Sequence, residues 1–139
     1  MGLIYAKIQL INSGDVYLAH KGYLKEEDIK KLEVEALVDS GAYMLAINEG
    51  IKIQLDLPKI DEQVAELADG SQQKLEIVGP VEVHFENRST SCRAVVLPGD
   101  AEVLLGSIPM EDLDVLIHPK QQKLIVNPEN PYFAKKSLK

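Results

Sequence analysis

From residue 34 to residue 126 the apolar residues come in short runs of three to five, at 34–38, 43–47, 64–67, 75–78, 81–85, 94–97, 103–105, 115–117 and 124–126. Gly, Pro, Asp, Asn and Ser separate many of them, and none is long enough for a helix of ordinary length. Ahead of them Ile4, Ala6, Ile8 and Leu10 alternate with Tyr5, Lys7 and Gln9, the period of a strand with one face buried and one wet. Many short strands at close spacing restrict the chain to a mainly β barrel or sandwich.

Helical signals are few. Glu26/Lys30 and Glu27/Lys31 stand at i,i+4 spacing with acids leading bases, which predicts a short exposed helix over 26–32 after a turn-rich stretch through Gly14, Asp15 and Gly22. Ser107, Pro109 and the carboxylates Glu111 and Asp112 predict a second, capped by Ser107 and starting just after Gly106. Ile51, Ile53, Leu55 and Leu57 alternate like a strand, yet Asn48 is placed to cap a helix that stops before Pro58, and periodicity leaves both readings open.

At 139 residues there is room for one core, which a chain of this size builds without disulfides, and Cys92 has no second cysteine to pair with. Twenty-two acidic against 15 basic residues give a net charge of −7, which opposes the counterion release that drives nucleic-acid binding. No apolar run approaches the roughly 20 residues of a membrane span, and no basic region followed by an apolar one opens the sequence, so the expected compartment is the cytoplasm, with neither nucleic acid nor membrane as partner. No histidine pair has the i,i+4 spacing of a helical metal site and no phosphate-binding glycine motif occurs, so neither metal nor cofactor is expected.

One tripeptide bears chemistry. Asp39-Ser40-Gly41 follows Ala36-Leu37-Val38 and precedes Ala42, which brings a carboxylate from the end of a buried strand onto a tight turn. All three residues also favour turns for independent reasons. Downstream, Val103-Leu104-Leu105-Gly106 leads into the second expected helix, and Ala68-Asp69-Gly70-Ser71 lies between two strand-like runs as a hairpin tip.

In that order the three segments resemble the retropepsin-like aspartic proteases, from about residue 33 to about residue 126. The resemblance implies a retropepsin-like acid protease barrel with one or two short helices, as a domain over 1–126 followed by an extended tail over 127–139. It makes Asp39 the catalytic carboxylate and Ser40, Gly41 and Ala42 its supporting loop. Leu104, Leu105 and Gly106 become the segment bracing that loop, and Ala68, Asp69, Gly70 and Ser71 the substrate-covering flap. It also favours a helix over 49–55. Ser40 stands where Thr is commoner, which keeps the hydroxyl and loses a methyl.

Hydrolysis by this chemistry needs two carboxylates around one water, and the chain has a single Asp-Ser/Thr-Gly; Ser13-Gly14-Asp15 and Asp69-Gly70-Ser71 carry the letters in the wrong order. The second carboxylate is then Asp39 of another copy, so the expected protein is a homodimeric aspartic endopeptidase acting on an extended polypeptide. Residues 2–10 or the tail after Asn127 are the expected closing segments of the dimer. The alternative is a dimer of the same fold that binds peptides without cutting them.

Overall fold

The computed structural model describes residues 2–66, 69–136 and 138. The first strand, β1 (Tyr5–Asn12), buries alternate residues at its start, with Ile8 and Leu10 almost wholly enclosed. It pairs antiparallel with β2 (Lys31–Val38) on one edge, Leu10 facing Leu32, and from Gln9 to Asn12 with β5 (Gln72–Phe85) on the other. That second pairing closes the sheet on itself. The remaining barrel strands are β3 (Leu45–Asn48), β6 (Arg88–Leu97) and β7 (Val103–Leu105), so six strands run in the cyclic order β1-β2-β7-β3-β6-β5. The protein is therefore mainly β with a closed six-stranded barrel, which leaves few open strand edges.

The interior is filled by Ile8, Leu10, Leu45, Ile47, Val78, Val81, Val83 and Leu105, each at most 1% exposed. Burying a side chain of this size stabilises the fold by roughly 1.5–3 kcal/mol. The runs at 75–78 and 81–85 belong to one strand: β5 passes through Gly79-Pro80 at a bulge, where Pro80 is exposed and needs no ladder hydrogen bond. Its first residues reach beyond the barrel and pair with β4 (Lys59–Glu66), in which all but Ala65 are exposed. β4 and the start of β5 form an arm.

Three helices decorate the barrel. The stretch read as turns at Gly14 and Asp15 is a helix, α1 (Ser13–His20). Asn12 starts it by accepting from Asp15 N at 3.1 Å, while its amide donates to Leu55 O and Asp56 O at 2.8 and 3.2 Å. The expected helix over 26–32 shrinks to a 3₁₀ turn at Glu26–Asp28, because Lys31 and Leu32 are drawn into β2 by their partners Ile11 and Leu10. α2 (Glu49–Leu55) settles the ambiguous segment: Asn48 caps Ile51 N at 3.0 Å, Ile51 and Leu55 face inward, and Ile53 is 71% exposed. α3 (Ser107–Leu113) begins as expected after Gly106, but Gly106 holds the cap position and Ser107 is already inside the helix.

After α3 the chain forms a separate antiparallel hairpin of β8 (Val115–His118) and β9 (Lys123–Val126). The residues beyond it make turns and bends folded against Asp114, which accepts from Asn127 Nδ2 at 3.0 Å, Asn130 Nδ2 at 2.8 Å and Lys135 N at 3.0 Å. Beneath them the buried guanidinium of Arg88 donates to Asn130 O and lies 3.9 Å from Asp114 Oδ2. No helix among the described residues is long and apolar enough to cross a membrane.

Candidate active-site loop

β2 ends at Val38, and Asp39 is the first residue beyond it. Val38 N donates to Ile4 O at 2.8 Å and Asp39 N to Leu105 O at 3.0 Å, so the backbone on both sides of the strand end is tied down. β7 lies parallel beside β2, with Leu37 opposite Leu104 and Val38 opposite Leu105, and Leu104 faces Ala46 of β3. Beyond Asp39 the chain turns at once, since Ala42 N donates back to Asp39 O at 3.1 Å. Gly41 N donates to Asp39 Oδ1 at 3.0 Å, an Asx-type turn that fixes the carboxylate relative to its own loop. The carboxylate is half-buried while Ser40 and Gly41 are exposed, so the loop offers its polar groups outward.

The same loop is clamped from behind by the start of α3. Ser107 N donates to Ala42 O at 2.8 Å and Ile108 N to Tyr43 O at 3.0 Å. Gly106 is what lets the two backbones come this close: a Cβ there would stand 2.4 Å from Met44 O, 2.7 Å from Tyr43 C and 2.8 Å from Ala42 O. Gly41 stands in a different situation. Its backbone is not left-handed, and a Cβ there would crowd Asp39 Oδ1 at 3.2 Å. Backbone proximity demands glycine at 106, whereas at 41 an added Cβ would press only on the Asp39 side chain.

The Asp69-Gly70-Ser71 segment stands at the exposed end of the β4–β5 arm, with Glu66 paired to Gln72 just below it. Gly70 takes φ +85°, and Asp69 Oδ1 accepts from Ser71 N at 2.9 Å and Ser71 Oγ at 2.5 Å, which holds the Asp69 carboxyl below its usual range. Ala68 lies outside the described residues. Sequence reasoning missed Ser107 and Ile108, whose backbone N–H groups pin the loop, and Tyr43, 76% exposed beside it. The apolar-apolar-Gly segment ahead of a helix start was the available signal for the first two.

Two cavities lie beside this region, and Asp39 lines neither. One of about 480 Å³ is walled by Met44, Leu45 and Ile77 with Asp61 and Arg93 at its rim; the other, about 780 Å³, is bounded by Asp112, Asp114 and the tail lysines. Cys92 borders both, and burial, with the Asp112 charge second, pushes its thiol up to about 11, which leaves it a poor nucleophile near neutral pH. Among the described residues no group of three or more His, Cys, Asp or Glu side chains is arranged to hold a metal ion. No family model matches the chain, and no curated protein matches it either.

Proposed function

We propose that the chain is one subunit of a homodimeric aspartic endopeptidase with a retropepsin-like barrel, its active site assembled from Asp39 of two copies. The observation that carries the reading is the pinned loop: a half-buried carboxylate at the end of a core strand, oriented by Gly41 N–H and backed by the Leu105–Ser107 backbone. A turn that served only to reverse the chain would not need a second segment threaded against it at a distance only glycine permits. In this reading the exposed β4–β5 arm is the cover such a site needs over an extended substrate.

In an isologous dimer with the loop on the two-fold axis, each Asp39 meets its mate. Two carboxylates that close cannot both ionise, so the pair holds one proton and titrates as a unit. The ionised member takes a proton from a water held between them, the water oxygen attacks the peptide carbonyl, and the protonated member donates to the carbonyl oxygen. Collapse of the tetrahedral adduct passes a proton to the leaving amine and restores the shared-proton pair. In this reading Ser40, exposed at the turn, binds across the axis. The chemistry calls for no metal or cofactor.

Strand edges left open in the barrel bear on which segments would close such a dimer. From Gln9 to Ile11 β1 has both edges occupied within its own barrel, and the described residues of the tail after Asn127 contain no strand. The start of β1, from Tyr5 to Ile8, and the β8–β9 hairpin retain open edges and are the strands we assign to the interface.

The test is incubation of the protein with a mixed peptide pool from about pH 4 to 7, beside Asp39→Asn. New peptide termini that appear with wild type and vanish with the variant support the reading. Peptide bound but uncut by both would make the protein a peptide-binding module, and a monomer at micromolar concentration would remove the basis for a dyad.

A further inference from the structure

The two cavities meet along Ser91 and Cys92 of β6 and Ile108 and Pro109 of α3, so they form the two halves of one furrow between that strand and that helix. Its near half, beside the Asp39 loop, has an apolar floor of Met44, Leu45 and Ile77. The far half is bounded by carboxylates at the end of α3, where the tail crosses it. There Lys136 Nζ donates to Asp112 Oδ1 at 2.6 Å, Thr90 Oγ1 donates to the other oxygen of the same carboxylate, and Lys135 N donates to Asp114 Oδ2. Glu111 lines the same space.

We propose that this furrow is a docking site for an extended, lysine-bearing polypeptide segment, and that the chain's own Lys135-Lys136 is a resident occupant that competes for its acidic half. The charge pattern commits the ligand to basic chemistry: Glu111, Asp112 and Asp114 stand at one end, and one of them, Asp112, is already paired with a lysine in the geometry an incoming lysine would adopt. The apolar half sets the second requirement, a large aliphatic side chain near the lysine, and the tail itself carries that pattern as Lys136 and Leu138, two residues apart and so about 7 Å along an extended chain. Leu138 is fully exposed and none of the described tail residues lines the apolar half, which leaves that half open to such a side chain. Docking here would extend recognition of a polypeptide beyond the cleft at Asp39, yet it belongs to the single chain and does not depend on hydrolysis.

The probe is a fluorescent peptide of sequence Ala-Lys-Lys-Ser-Leu-Lys, titrated into full-length protein carrying Asp39→Asn so that cleavage plays no part. Saturable binding is expected, tightening by up to about fivefold when Lys136→Ala vacates Asp112, the factor an exposed ion pair supplies. Asp112→Asn in that background should reverse the gain, higher salt should weaken binding, and a peptide with Glu in place of each Lys should not bind. Should Asp112→Asn fail to fold, Glu111→Gln lowers the same charge while leaving the Lys136–Asp112 pair in place and should weaken binding in the same direction. No binding, or an affinity indifferent to Lys136→Ala and to loss of either carboxylate, overturns the proposal whether or not the protein proves to be a peptidase.

Discussion

Gly106→Ala puts the architecture of the loop under direct strain. The added Cβ would stand 2.4 to 2.8 Å from three backbone atoms of residues 42–44, none of which can rotate away as a side-chain tip would. Relief requires the two segments to part, and they are joined by the Ser107 N–Ala42 O and Ile108 N–Tyr43 O hydrogen bonds. Overpacking of this kind costs about 1–3 kcal/mol. Two weakened hydrogen bonds add about 1–2 kcal/mol, and the lower chain entropy of Ala in the unfolded state returns about 0.4–1 kcal/mol. The net expectation is a loss of about 3 kcal/mol, which at a urea slope of roughly 2 kcal/mol/M moves the unfolding midpoint down by roughly 1.5 M. Gly50→Ala is the control: its Cβ would meet only Asn48 Oδ1, at an ordinary 3.4 Å within α2, so that variant should be neutral or stabilised by up to about 1 kcal/mol. Equal midpoints for Gly106→Ala and wild type would refute the argument that backbone proximity at Gly106 holds the Asp39 loop.

Asn12→Ala removes a helix cap and two bonds to α2 carbonyls, and should lower stability by about 2–3 kcal/mol in the same urea assay. Leu10→Ala, at a fully buried barrel position, should lose about 2–5 kcal/mol. The Asp114 carboxyl is held below its usual range by Asn127, the Lys135 N–H and Asn130, with Arg88 also contributing. A carboxylate whose pKa is lowered by folding stabilises above its unfolded value of about 3.9 and loses that contribution as pH falls through the folded one. Calorimetry should therefore show Asp114→Asn with a lower Tm than wild type at neutral pH and a gap that closes below about pH 4. Asp39→Asn should keep the fold and tighten the dimer in sedimentation equilibrium, since it removes repulsion between two like groups.

Much of the fold was legible because alternation reports burial directly: β1 from Ile4, Ala6, Ile8 and Leu10, and the later strands from their short apolar runs. α1 was not, since Ser13-Gly14-Asp15 reads as a turn and only the distant carbonyls of Leu55 and Asp56 show why Asn12 is fixed as a cap. Ile51, Ile53 and Leu55 are all apolar, so periodicity left α2 open; the family resemblance favoured a helix there, and the structure, with Ile53 in solvent, bears that out. At the candidate site the order Asp-Ser-Gly, hairpin tip and apolar-apolar-Gly was readable, but the bonds from Ser107 and Ile108 join residues about 65 apart in the chain, a pairing that no local pattern encodes. The Arg88–Asp114 contact and the folded tail are invisible in sequence for the same reason.

The central claim is that one active site takes its two carboxylates from two chains, and subunit mixing tests it most directly. Wild-type and Asp39→Asn chains are combined at fixed total concentration, allowed to exchange, and assayed for peptide cleavage. If each site requires both copies of Asp39, activity falls as the square of the wild-type fraction, to about a quarter in an equal mixture. A linear fall, to about a half, would mean that each chain works alone, and would contradict the shared dyad.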